Sequence, residues 1–187
     1  ARTFQNIRLF KDMTVLDNVK VGLHNQVKYT TATGILRLPS YFVKERAMNE
    51  KAMELLKIFD LDGEAGQPAS SLPYGKQRKL EIARALATGP KLLLLDEHTA
   101  ALDPGTAEKV LRITREVVAE HRITTLMVTH NMHQALELGN RTLMMDSGNI
   151  ILDVRGEERS GLTVSGLLER FRAGAGKNLD NDRILLS

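Results

Sequence analysis

At 187 residues the chain is long enough for one substantial core, or for a core with a smaller lobe beside it. Its 42% hydrophobic and 26% charged content is ordinary for a globular protein, and a net charge of +3 does not by itself point to nucleic acid. The absence of cysteine excludes a disulfide framework and thiolate metal sites and fits a reducing compartment, and no apolar run approaches the ~18 residues that a membrane span requires.

Taken in order, Ala1-Arg2-Thr3-Phe4-Gln5 starts without loop or cap and reads as the middle of a strand, so a further N-terminal portion is expected upstream. Residues 6–11 read as a loop. Thr14-Val15-Leu16-Asp17 then matches a capping-box variant, a hydroxyl with an acid three residues on, and Val15, Val19 and Leu23 carry a helix to about His24. Residues 26–41, punctuated by Gly34 and Pro39, read as loop with marginal helix. Met48, Ala52, Leu55, Leu56 and Phe59 form one face of an amphipathic helix over 43–59. Two helices with no strand between them imply a helical lobe separate from any sheet.

A turn-rich connector over 63–71 leads to Leu72-Pro73-Tyr74-Gly75-Lys76-Gln77. The helix that follows places Leu80, Ala83 and Leu86 inward, with Arg78, Lys79 and Glu81 expected mostly outward. Gly75 sits at its entrance, where unpaired backbone N–H groups can meet an anion. Gly89-Pro90 ends this segment. In Lys91-Leu92-Leu93-Leu94-Leu95-Asp96-Glu97 the four leucines show no alternation, which predicts a strand buried on both faces of a parallel sheet. Ligand crevices of open α/β sheets lie at the carboxyl ends of strands, where Asp96 and Glu97 emerge. Two adjacent acids there suit a site that holds a metal ion and activates water, although an ordinary polar strand exit has the same look.

Ala101-Leu102-Asp103-Pro104 is a tight turn, and Ala107, Val110, Leu111, Thr114, Val117 and Val118 define a further amphipathic helix. Residues 124–128 are a β-branched, apolar strand ending in Thr129-His130. A short helix over 131–138, a strand over 142–145 and a hairpin turn at Asp146-Ser147-Gly148-Asn149 into 150–152 follow, then a last helix over 162–171 and a loose stretch over 174–182. Helix–strand alternation across 76–146 predicts a parallel α/β core. No internal repeat is visible.

Gln5, the Asp96-Glu97 pair and His130 thus stand at the ends of elements. Singly, each has a bland reading: a loop amide, a polar strand exit, a satisfied histidine. Together, with a glycine-led helix immediately before the strand, they make a sequence that resembles the nucleotide-binding subunits of ATP-binding cassette transporters. Gln5 falls where that family has its Q-loop glutamine, Leu72–Gln77 the signature motif, residues 92–97 the Walker B strand, Ala101, Leu102 and Asp103 the D-loop, and His130 the switch histidine. Arg2-Thr3-Phe4-Gln5-Asn6-Ile7-Arg8-Leu9-Phe10, Met13-Thr14-Val15 and Leu72-Pro73-Tyr74-Gly75 look like the ATPases of branched-chain amino-acid importers, as does the insert over 26–41. From His98 onward that finer likeness weakens toward other amino-acid or uncharacterised importers.

The resemblance implies a P-loop NTPase-type α/β fold with a parallel sheet and a helical subdomain, incomplete at its N-terminus. It divides the chain into a strand end over 1–11, the helical subdomain over 12–75, the α/β core over 76–155 and a tail over 156–187. It implies ATP and Mg²⁺ as ligands, with Asp96 and Gln5 toward the metal and Glu97 orienting or deprotonating the attacking water. His130 would donate to the γ-phosphate, and Leu72, Pro73, Tyr74, Gly75, Lys76 and Gln77 would face ATP held by a second subunit. Implied partners are that second ATPase subunit, transmembrane permease subunits and, indirectly, an external substrate-binding protein, with no nucleic acid. The implied place is the cytoplasmic face of the plasma membrane, peripherally bound.

Three departures qualify the resemblance. No Gly-x-x-x-x-Gly-Lys-Ser/Thr occurs anywhere, so the main phosphate grip is lacking and the chain as given is expected to bind ATP poorly and hydrolyse it negligibly. A sheet edge and core surface are expected to lie exposed for the same reason. Pro73 replaces the common signature serine, and His98 the usual proline after the Walker B glutamate. Two other readings stay open. One is a truncated or chimeric binding module without enzymatic action; the other, weaker for want of sustained heptads between Gln5 and Leu72, is a soluble ATPase of DNA maintenance.

Overall fold

The computed structural model describes residues 1–3, 7–26, 39–97, 99 and 102–175. Gln5, His98 and Ala101 therefore lie outside the described residues, as does most of the 26–41 insert. The chain forms two compact units, residues 1–128 and 129–187.

The first unit begins with a bridge rather than a full strand. Arg2 pairs in parallel with Leu94, Thr3 N donates to Leu94 O at 2.9 Å and Leu94 N to Ala1 O at 2.9 Å. Helix α1 (Val15–Leu23) starts as its capping box requires: Thr14 Oγ1 accepts from Asp17 N at 3.0 Å and donates to the Asp17 carboxylate at 2.7 Å. Buried Asn18 holds the preceding turn, accepting from Phe10 N and donating to Phe10 O, both at 3.0 Å. Helix α2 (Pro39–Ile58) begins four residues earlier than its hydrophobic face indicated, with a proline in the first turn, where the missing N–H costs nothing. Its apolar face, Met48, Ala52, Leu56 and the following Phe59, is buried as expected.

Helix α3 (Tyr74–Ala87) is the centre of this unit. Leu80, Ala83 and Leu86 face inward as the sequence indicates, but Arg78, Lys79 and Glu81 are buried too. The outward placement of these three is corrected for a tertiary reason: α1 and α2 both pack on α3, leaving it little solvent-facing side. The charges are matched inside. Arg78 Nη1 donates to Glu81 Oε2 at 2.7 Å, and Lys79 Nζ reaches Phe59 O at 3.1 Å and the Asp60 carboxylate at 3.5 Å. The α1–α3 approach is set by Gly22, where a Cβ would stand 2.5 Å from Arg84 O and 2.8 Å from Ala87 Cβ.

Strand β1 (Leu92–Asp96) pairs in parallel with β2 (Thr124–Val128), in register from Leu92↔Thr124 to Asp96↔Val128, with α4 (Pro104–Glu120) as the crossover. Leu93 and Leu95 are 0% and 1% exposed, whereas Leu92 is 53% exposed. The expectation of a strand buried on both faces is thus corrected. Only one face of the ladder lies in the core; the other carries Leu92, Leu126 and Val128 to solvent, in line with the exposed sheet surface expected above.

In the second unit α5 (Met132–Glu137) precedes a hairpin of β3 (Arg141–Asp146) and β4 (Asn149–Arg155). Ser147 and Gly148 both adopt positive φ, 49° and 83°, the pair of left-handed residues that a two-residue hairpin turn uses. Helices α6 (Gly156–Ser160) and α7 (Val164–Ala175) close it, with Val154 and Leu167 buried. Arg159 caps the end of α5, donating to Leu136 O and Leu138 O at 2.6 Å and to Thr142 Oγ1 at 2.9 Å.

Candidate functional site

The carboxyl ends of β1 and β2 carry the acidic pair. Asp96 ends β1 with its carboxylate 3.0 Å from Arg2 Nη2 and partly exposed. Glu97 N donates to Val128 O at 3.0 Å, prolonging the ladder by one bond. There the backbone turns: Glu97 has φ +43°, the left-handed region that a residue with a long side chain rarely occupies. Such strain persists only where its surroundings impose it, and it clusters at functional positions. The turn takes Glu97 out of the strand immediately after Asp96.

A second group forms where α3 meets α4. Asp103 is the N-cap of α4, its Oδ1 accepting from Thr106 N at 3.0 Å, with Pro104 in the first turn. Its carboxyl is held below the ordinary carboxylate range, first by the Thr106 hydroxyl and then by the Thr106 backbone N–H. Gly75, in the first turn of α3, lies against this point: a Cβ there would stand 2.8 Å from Thr106 Cγ2 and 3.8 Å from Leu102 Cδ2. The N-cap of α3 is Pro73, which supplies no side-chain acceptor to the first turn. Gln77 closes the entry instead, its Nε2 donating to Leu72 O at 2.8 Å and its N to Pro73 O at 3.0 Å. Tyr74 is exposed, and Lys76 is tied to the Glu64 carboxylate.

The structure thus brings Asp96 and Glu97 together at one strand end, and Gly75, Leu102 and Asp103 together at one helix junction. His130 stands exposed in the second unit, in the turn where Thr129 Oγ1 accepts from Asn131 N at 3.1 Å. Two participants were missed in the sequence. Arg2, the partner of Asp96, gave no signal, because the contact spans the whole first unit. Only the Asp103 end of the contact with Thr106 was legible, because an aspartate followed by proline is a helix-start signal.

A sequence model described as ABC transporter matches residues 1–100. The chain belongs to the ABC transporter family. The high-affinity branched-chain amino acid transport ATP-binding protein BraF of Pseudomonas aeruginosa is 33% identical over 153 residues, covering 82% of this chain and 60% of that protein. A tyrosine transport ATP-binding protein of Clostridioides difficile is 37% identical over 173 residues, covering 91% of this chain and 66% of the relative. Among solved structures, a dimeric ATP-binding cassette in a post-hydrolysis state with ADP and Pi superimposes with a TM-score of 0.66 at 27% identity, over 82% of this chain and 61% of that one. The chain therefore spans roughly 60% of the length of the curated relatives it matches. The α/β fold with parallel strands and helices agrees with the cassette architecture expected from the sequence.

The site's chemistry suits the ligands that this family implies. Magnesium binds through one or two carboxylates while water and phosphate oxygens fill its other positions, and Asp96 offers one such carboxylate, paired with Arg2, at a partly exposed strand end. Among the described residues no group of three His, Cys, Asp or Glu side chains forms a dedicated metal cage. The uncapped first turn of α3, with a glycine in it, suits an approaching anion.

Proposed function

We propose that the chain carries the water-activating and partner-facing parts of an ATP-hydrolysing subunit that powers amino-acid import. The single observation that carries this reading is the acidic pair at the end of β1, with Glu97 turned out of the strand at φ +43°. Asp96 would hold Mg²⁺ through water, and Gln5 would complete the metal-facing set. Bound magnesium would neutralise charge on the phosphate oxygens. Glu97 accepts the proton of the attacking water or fixes its orientation, and His130 donates a hydrogen bond to the terminal phosphate.

Leu72, Pro73, Tyr74, Gly75, Lys76 and Gln77 present the start of α3 to ATP held by a second subunit, with Ala101, Leu102 and Asp103 beside them. The matching cassette of the post-hydrolysis state is itself dimeric, which supports a paired arrangement. Closure of such a pair would act on membrane permease subunits from the cytoplasmic face, as a ligand-driven shift of population. No helix among the described residues is long and apolar enough to cross a membrane. The relatives are named for branched-chain amino acid and tyrosine transport, which supports an amino-acid cargo and leaves its side chain open.

A magnesium–ATP titration of the protein with Glu97→Gln alongside tests this reading. In a protein that also carries the phosphate-binding loop, Glu97→Gln is expected to trap bound ATP and lose turnover; unchanged turnover there removes Glu97 from the role. The sequence lacks Gly-x-x-x-x-Gly-Lys-Ser/Thr, and this favours a second reading, a binding module that offers α3 to another cassette without turning over ATP itself. Absence of saturable binding in both proteins is the outcome that reading expects.

A further inference from the structure

Thr106 sits between the two structures that the proposed function places at the nucleotide, and its two branches do different things. Thr106 N donates to the Asp103 carboxylate at 3.0 Å, and the nearby Thr106 hydroxyl helps to hold that carboxyl below its ordinary range. A β-branched side chain has few χ1 settings open to it in a helix, which limits where the methyl can stand. That methyl, Cγ2, points at Gly75, so closely that a Cβ on Gly75 would lie 2.8 Å from it. A real Cβ contact is essentially never that short, and a bonded threonine near the start of a helix has little freedom to withdraw. Gly75 has an ordinary helical φ. Alanine there would by itself favour the helix, so the absence of a side chain needs a spatial cause.

We propose that Thr106 is a positioning residue that holds the Asp103 turn and the Gly75 end of α3 in one register. Its backbone N–H fixes the turn, and its methyl sets how near the helix start comes. The turn and the first turn of α3 then move as one piece. The inference rests on the proposed function for its meaning, since that reading puts both Gly75 and Asp103 at the nucleotide, but its geometry stands without nucleotide.

The test uses the full chain with no ligand added. Thermal midpoints are measured for Gly75→Ala alone and combined with Thr106→Ser or Thr106→Val, and the Asp103 carboxyl is titrated by NMR in the two Thr106 single variants. Serine keeps the hydroxyl and removes Cγ2; valine keeps the methyl and removes the hydroxyl. Expected are a lowered midpoint in Gly75→Ala, recovery of at least half that loss with Thr106→Ser, and no recovery with Thr106→Val. The Asp103 titration moves upward in Thr106→Val and stays in place in Thr106→Ser, which separates loss of the hydroxyl beside Asp103 from general loosening of the fold. Recovery by valine as well as serine, recovery by neither, or an Asp103 titration indifferent to Thr106→Val overturns the proposal. None of these readings involves nucleotide, so their failure is separate from a failure of Glu97→Gln to alter turnover.

Discussion

Two arginine–carboxylate pairs in this protein have similar geometry and opposite surroundings. Arg78 and Glu81 meet at 2.7 Å inside α3 with side chains 0% and 2% exposed; Arg141 and Asp153 meet at 2.8 Å and 2.5 Å across the β3–β4 hairpin with side chains 50% and 42% exposed. The buried pair has lost its water, so each charge depends on the other. Removing one member leaves an uncompensated ion in the core. The hairpin pair keeps its hydration, and its attraction is screened. Distance alone does not tell the two apart; burial does. It also shows where the protein is rigid, because α3 is pinned by charges from within and enclosed by α1 and α2, while the hairpin holds itself by its ladder and turn.

The sharpest way to break this comparison is Glu81→Gln, which keeps the shape and deletes the charge. It is expected to destabilise the chain by about 3–5 kcal/mol in chemical denaturation, whereas replacing both Arg78 and Glu81 by apolar residues of similar volume is expected to recover most of that loss. A loss under about 1 kcal/mol for Glu81→Gln would mean that the pair is not desolvated in solution. Gly22→Ala comes next. It forces a Cβ against the immobile Arg84 carbonyl and is expected to cost about 1–3 kcal/mol by the same measurement, with an upfield or downfield shift of α3 amide resonances confined to the contact.

A smaller effect is expected at Asp60, whose carboxyl lies below the ordinary carboxylate range chiefly through its hydrogen bond from Lys109. A folded value below the unfolded one means that the unfolded state takes up protons first on acidification. The contribution is thus complete above the unfolded carboxylate range and fades as pH falls through the lowered folded value. The melting midpoint of Asp60→Asn should lie below that of the parent near neutral pH and converge with it in acid; a gap independent of pH would sink the assignment. Least of all is expected from Asp153→Asn in the hairpin, where solvent screening of the pair leaves only a small fall in midpoint at physiological salt. A shift as large as that of Glu81→Gln would erase the distinction between the two pairs.

Much of the fold was legible before any coordinates. The Thr14–Asp17 box, the apolar face of α2, the leucine run of β1 and the Ser147-Gly148 turn each announce themselves, because capping, periodicity and turn chemistry are local. The candidate site was legible to the extent that its parts are motifs: Asp96 and Glu97 after a strand, Gly75 before a helix. What the sequence did not disclose is which charges are inside. Arg78, Lys79 and Glu81 look like a solvated face, and only the helices around α3 make them a core. The leucines of β1 erred in the opposite direction, since a uniform apolar run cannot say how many of its faces are covered.

The sequence by itself determined the order of elements, the caps that start them and the residue types gathered at the candidate site, because these depend on neighbours within a few positions along the chain. Tertiary structure alone decided that Arg2 pairs with Asp96, that Gly22 and Gly75 are bare for want of space, and that Thr106 joins two motifs far apart in the sequence. Those outcomes depend on how closely distant backbones approach one another, and close approach is a property of the packed core that no local pattern records.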